Sequence, residues 1–241
     1  MCISVIIPMY NEEKIVPDTL CTLAAFADGL KQYEFEFLFS DDGSKDGCGE
    51  IVRAFSETDK RFRLISAKEN RGKGAAIRQA VAVSRGDVVL YTDCDLAYGT
   101  EQMEGILSFH LAKEADVTIG SRSIHKDGYA GYTAMRKLAS RLYGFVMTRY
   151  AGCAVSDSQT GLKCFRGEVA RTVFAVCEID RFAFDLEVLS IAMRKHYSIK
   201  EYPVCVLHGD KELSHTSSVH LFRDAKRMLS DLRKMKKRLG K

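Results

Sequence analysis

In Asp93-Cys94-Asp95 two carboxylates flank one small residue, directly after the apolar run Val88-Val89-Leu90-Tyr91. The run is short and β-branched and follows Gly86-Asp87, so it reads as a buried strand that delivers both acids at its C-terminal end. In an open parallel sheet that edge is where ligands bind. Residues i and i+2 of an extended chain point the same way, so Asp93 and Asp95 are expected to converge on one hard cation. Mg²⁺ or Mn²⁺ bridging a diphosphate is the usual guest of such oxygen ligands. The plainer alternative is one buried carboxylate and one N-cap for the segment starting at Thr100-Glu101.

Two more polar loops follow apolar runs: Tyr10-Asn11-Glu12 and Asp41-Asp42-Gly43-Ser44. The winding rule for parallel sheets places all three along one edge. Acids there can accept from a base's ring N–H and from ribose hydroxyls; a helix-capping role for 41–46 is the alternative. Gly72-Lys73-Gly74 is neither a P-loop nor a dinucleotide fingerprint, because the required spacing is absent and position 77 is Ile. What remains is a flexible turn at a helix N-terminus, suited either to a closely approaching anion or to a bare cap.

These loops need a framework. Strands are expected at 3–7 (stopped by Pro8), 35–40, 61–66, 88–91 and 116–120, with helices to about Leu30, from 47 through Phe55, and over 75–84 and 101–113. That alternation predicts an α/β fold with a mainly parallel sheet flanked by helices. After Arg122 the pattern loosens: a polar loop over 123–133, helical spacing over 134–150, loop then strand over 156–165, and a helix over 182–195. A late strand over 198–207 contains Pro203, which suggests an edge position.

The chain of 241 residues is 46% hydrophobic and 28% charged, which suits one large domain with a short appendage. Its eight cysteines contain no C-x-x-C pair, pointing to reduced thiols rather than a zinc site or a disulfide framework. No stretch approaches the roughly 18 consecutive apolar residues of a membrane span, and the first strand begins too early for a signal peptide. The net charge of +4 is uneven: residues 219–241 carry nine Lys/Arg against Asp224 and Asp231, on a helical apolar stripe running from Leu221 to Leu239. A basic helix of this kind either lies on an anionic membrane or packs on the domain with its charges solvated. No aromatic platform accompanies the bases, so nucleic acid is not the expected partner.

Taken together, Val5-Ile6-Ile7-Pro8-Met9-Tyr10-Asn11-Glu12, Asp41 to Gly47, Asn70-Arg71-Gly72-Lys73-Gly74 and Thr92 to Leu96 resemble glycosyltransferase family 2, of GT-A fold. Gly120-Ser121-Arg122, the run Asp157 to Arg166 and Phe182 to Glu187 narrow the resemblance to the dolichyl- or polyprenyl-phosphate sugar transferases. The resemblance covers about residues 3 to 215. It implies a nucleotide-sugar donor (UDP-glucose or GDP-mannose), a lipid-phosphate acceptor, inversion at the anomeric carbon and Mg²⁺ or Mn²⁺. Pro8, Tyr10, Glu12 and Asp41 would bind base and ribose, with Asp42 in the same motif. Asp93 and Asp95 would hold the metal on the diphosphate, and Arg122 and Arg136 would contact the diphosphate or the acceptor phosphate. Two departures stand out: Cys94 replaces the usual Ala, and Ala97 stands where mannosyl enzymes of this type often have Gln.

A lipid phosphate is already anionic at neutral pH, so its attack makes positioning the main demand and needs no strong general base. Asp157 is the candidate base if one acts; Asp185 and Glu187 are expected to fix acceptor-side loops. The chain is thus expected to comprise a GT-A domain over 1–218 and a basic amphipathic helix over 219–241, working at the cytosolic membrane face. The rival readings are a family-2 enzyme with a saccharide, protein or small-molecule hydroxyl acceptor, and a non-catalytic nucleotide-sugar-binding adaptor.

Overall fold

The computed structural model describes residues 1–129, 155–181, 183–207, 230, 231, 233–235, 237 and 238. The strands are β1 (Cys2–Met9), β2 (Glu34–Asp41), β3 (Phe62–Ser66), β4 (Val88–Tyr91), β5 (Val117–Ser121), β6 (Lys163–Arg166) and β7 (Ile199–Pro203). The helices are α1 (Val16–Gly29), α2 (Cys48–Thr58), α3 (Lys73–Val83), α4 (Gly99–Ala112), α5 (Gly167–Phe174) and α6 (Phe184–Arg194). The expected helix over 134–150 lies outside the described residues.

The seven strands among the described residues form one sheet in the order β3-β2-β1-β4-β6-β5-β7. Every pairing is parallel except those of β6, which runs antiparallel to both β4 and β5. Side-chain alternation divides each strand between two cores. Val5, Ile7, Phe37, Phe39, Val88 and Leu90 face α1, α2 and α4. Ile6, Leu38, Val89, Tyr91 and Phe165 face α3, α5 and α6. Each large apolar side chain buried in this way stabilises the fold by about 1.5–3 kcal/mol. Phe35, Phe37 and Phe62 stack along the first core at centroid spacings of 5.7 and 4.6 Å.

Two expectations need correcting. Pro8 does not stop β1, which continues to Met9. β4 pairs with β1 only from Ile3 to Ile6, so on that side Pro8 has no ladder to break, the setting in which a strand tolerates proline. In addition, α5 was not foreseen; it is eight residues long and follows β6 without a turn signal. β7 ends at Pro203 on the outer edge of the sheet, where that proline placed it.

The C-terminal tail is helical at its described positions. Met235 is buried in the core beside α5 and α6. Arg238 pairs with Glu178 at 2.7 Å and with the buried Glu187. Arg233, Lys234 and Lys237 stay exposed. At these positions the apolar side of the helix belongs to the domain and the basic side to solvent.

Candidate active site

The loops after β1, β2 and β4 meet at the C-terminal edge of the sheet, as expected. Because β6 is reversed, the loop leading into it (157–162) arrives at the same edge. The first two loops are laced together: Asn11 Oδ1 accepts from Lys45 N (2.9 Å), Ser44 Oγ from Asn11 N (2.9 Å) and Asp46 Oδ2 from Glu13 N (3.0 Å). Pro8 is buried in β1, and Tyr10 is exposed at the loop's tip. Asp41, the last residue of β2, accepts from Ser44 N (2.9 Å).

Asp42 proves to be a brace. Its two oxygens accept the backbone N–H groups of Arg71 (2.9 Å) and Gly72 (2.7 Å), tying the β2 loop to the start of α3. Gly43 next to it has φ +74°, and a Cβ there would lie 2.6 Å from the Glu69 carbonyl carbon, so only glycine fits.

The strand carrying the acidic triplet ends at Tyr91, and Cys94 and Asp95 lie in a turn. The expected alternation of an extended chain therefore does not apply; the two acids are brought near each other by the turn. Asp95 Oδ1 accepts from Ala97 N (3.0 Å), and the Cys94 carbonyl accepts from Thr19 Oγ1 of α1 (2.6 Å). Burial first, and then the neighbouring Asp93 charge, push the Asp95 carboxyl up from its ordinary value. The Glu12 carboxyl is pushed up to about 7 by burial and by the charges of Asp95, Asp46 and Asp93. Glu12 thus sits in the field of the acidic pair as well as in the laced loops after β1 and β2. One flank of Asp95 opens into a cleft of about 700 Å³ lined by Lys14, Asp18, Thr22, Tyr98 and Gln102 among others.

Asp93 has a partner that sequence reasoning missed: the ammonium of Lys73, the first residue of α3. Burial disfavours that charge, yet Asp93 and Asp185 more than offset it and raise the Lys73 pKa. The signal was a lysine between two glycines opening a helix, which was read for its backbone alone. Among the described residues no three His, Cys, Asp or Glu side chains form a ready-made metal cage. The donor set still fits a hard cation. Asp93 and Asp95 set two carboxylates side by side, the kind of hard oxygen donors whose shell diphosphate and water commonly complete.

On the other flank Arg122 and Asp157 are paired. Asp157 Oδ2 accepts from Arg122 N (3.1 Å) and Nε (2.8 Å), and Oδ1 from Nη2 (3.0 Å). The guanidinium also stands over the Tyr129 ring, 5.7 Å from its centroid. Their side chains are only 14% and 7% exposed. Asp157, the candidate base, is therefore engaged by Arg122 through both of its oxygens. Arg136 lies outside the described residues. Glu187 does fix a loop, accepting from the backbone of Glu178 (3.0 Å) and Ile179 (2.8 Å), whereas Asp185 accepts from the strand residues Lys163 and Tyr91.

The model of the glycosyl transferase family 2 matches residues 4–174. Dolichyl-phosphate beta-glucosyltransferase of Dictyostelium discoideum is 31% identical over 94% of this chain and 73% of its own length. The human protein of the same name is also 31% identical, over 84% of this chain and 66% of its own. Among solved structures, glucosyl-3-phosphoglycerate synthase from Mycobacterium tuberculosis, in complex with Mn²⁺ and UDP, superposes with a TM-score of 0.63 at 21% identity. That match covers 88% of this chain and 74% of the other, and it supports the expected GT-A fold. No helix among the described residues is long and apolar enough to cross a membrane.

Proposed function

The chain belongs to glycosyl transferase family 2, and we propose that it transfers a hexose from a nucleotide sugar to a polyprenyl or dolichyl phosphate, inverting the anomeric centre. Glucose is the favoured sugar, because the relatives are named for it and Ala97 replaces the Gln of mannosyl enzymes.

In this reading the laced loops around Pro8, Tyr10, Glu12 and Asp41 receive the base and ribose, and Asp42 keeps that wall in place. Asp93 and Asp95 hold Mg²⁺ or Mn²⁺, which when bound would neutralise charge on the departing nucleoside diphosphate. Lys73 supplies a second positive charge next to Asp93, at a helix N-terminus that itself favours anions. Arg122, whose Nε and Nη2 are held by Asp157, would meet phosphate with the other edge of its guanidinium and stays charged at any working pH. Arg136 is proposed to share that task.

One observation carries the choice of acceptor. Both oxygens of Asp157 accept from Arg122, so the residue that would deprotonate a hydroxyl is paired with a cation, which lowers its basicity. A phosphate nucleophile needs that cation and needs no base. The tail's exposed Arg233, Lys234 and Lys237 suit contact with an anionic membrane. With Met235 docked in the core, that contact would be electrostatic rather than by apolar insertion.

The test follows labelled sugar from UDP-glucose and GDP-mannose into a short polyprenyl phosphate, with the matching polyprenyl alcohol as control. Product should form from the phosphate alone; an equal rate with the alcohol refutes the proposed nucleophile.

A further inference from the structure

Beneath the acidic pair lies an ion pair to which the reaction gives no task. Lys163, at the start of β6, is 0% exposed. Its ammonium donates to Asp185 Oδ1 (2.7 Å) and to the Thr160 carbonyl (2.6 Å), and stands 5.4 Å from the Tyr91 ring centroid. The Tyr91 hydroxyl donates to the same Asp185 oxygen (2.6 Å). Lys163 is in register with Tyr91 across the β4–β6 ladder, two residues before Asp93. A buried pair of this kind brings little net stability, since apolar residues of similar volume often serve as well. Its position is the informative property.

What the pair holds is a loop. Thr160 is tied through its carbonyl to Lys163 and through its hydroxyl to the Gly120 carbonyl (2.6 Å). The next residue, Gly161, lies so close to Asp93 that a Cβ there would stand 1.8 Å from Oδ2 and 2.6 Å from the carboxyl carbon. Lys73 occupies Oδ1 on the other side. The Asp93 carboxylate is thus confined between an ammonium and a glycine backbone, and the backbone is anchored by Lys163.

We infer that Lys163 and Gly161 form a positioning unit for Asp93. Lys163 fixes the Thr160 carbonyl, and Gly161 presses against the carboxylate and keeps it aimed at the metal-bound diphosphate. The inference rests on the role proposed above for Asp93. Outer partners of metal ligands commonly matter by about 10- to 100-fold in metal affinity or activity.

The experiment titrates Mn²⁺ by electron paramagnetic resonance with UDP, and separately with GDP, and follows thermal unfolding of the same samples. Lys163→Met/Asp185→Asn removes both charges and leaves Tyr91 an acceptor. It should unfold cooperatively but bind Mn²⁺ with nucleotide about tenfold or more weakly. Gly161→Ala keeps every charge and should weaken binding at least as much. A folded double variant with wild-type affinity overturns the positioning role; if that variant does not fold, wild-type affinity in Gly161→Ala does so. Wild-type protein that takes up no Mn²⁺ with either nucleotide overturns the role of Asp93 itself, and the positioning unit with it.

Discussion

Asp157→Asn separates the two ways of reading the acceptor side. Asp157 accepts three N–H groups of Arg122, two on Oδ2 and one on Oδ1. An asparagine can keep its oxygen toward Nε and the backbone N–H, but it then turns an amino group toward Nη2. One charge-assisted bond is lost between two largely buried side chains, about 1.5–3 kcal/mol of stability. If the arginine fork loosens so that about 1.4 kcal/mol of this reaches the transition state, kcat falls about tenfold. Loss of a general base would cost about 10²–10⁴-fold and would change the pH dependence. The assay is initial-rate transfer to a short polyprenyl phosphate between pH 5.5 and 9 (roughly the span over which a base would titrate), with urea unfolding of the same samples. A drop of a thousandfold, with a limb of the pH profile lost and the fold intact, refutes the reasoning. Arg122→Ala should be worse than Asp157→Asn, and Arg122→Lys should recover only part, because a point charge does not reproduce the fork.

Asp95→Ala should abolish transfer, and excess chelator should abolish it in the native protein until Mn²⁺ is restored; full activity in chelator refutes a metal-held diphosphate. Met235→Ala should cost about 2–4 kcal/mol in urea unfolding because the side chain fills the core, whereas a tail lying free of the domain predicts no change. Burial of His110 between α4 and β5 holds its pKa down to about 4, against 6.5 when free, with the Asp116 charge acting in the opposite sense. Its neutral form therefore contributes stability that is fully present above pH 6.5 and is lost as the pH falls through about 4, up to about 3 kcal/mol. The native protein should accordingly lose about that much more than His110→Gln between pH 7 and 4; equal losses count against the assignment.

The alternation of apolar runs and helical spacing made β1 to β5 and α1 to α4 legible, because each strand buries both faces and each helix one stripe. Local signals failed where neighbours decide. Pro8 stays in a strand only because β4 has already ended beside it. The acidic triplet was read as extended chain, and its convergence survives for a different reason, a turn tethered by Thr19 and Ala97. Asp41, Asp93, Asp95 and Arg122 stand out as sequence motifs, but the pairing of Asp93 with Lys73 and of Arg122 with Asp157 does not. Lys73 and Gly161 reach Asp93 across 20 and 68 positions, and periodicity carries no trace of such contacts.

The reversed β6 also bears on how such an enzyme could change its acceptor. The chain leaves the sheet at Ser121 on β5 and returns at Lys163 on the strand hydrogen-bonded to it. The 41 residues between include Arg122, Arg136 and Asp157, and the excursion starts and ends on neighbouring strands, Lys163 being in register with Ile119, two residues before Ser121. Doubling the length of a flexible closed loop costs only about 0.6 kcal/mol of closure entropy. The donor half, built from β1 to β4 and their following loops, shares no covalent joint with it except through α4 and β5. Under the proposed function, new acceptors would be accommodated by changes within this one excursion, provided that its last residues, where Gly161 meets Asp93, are kept.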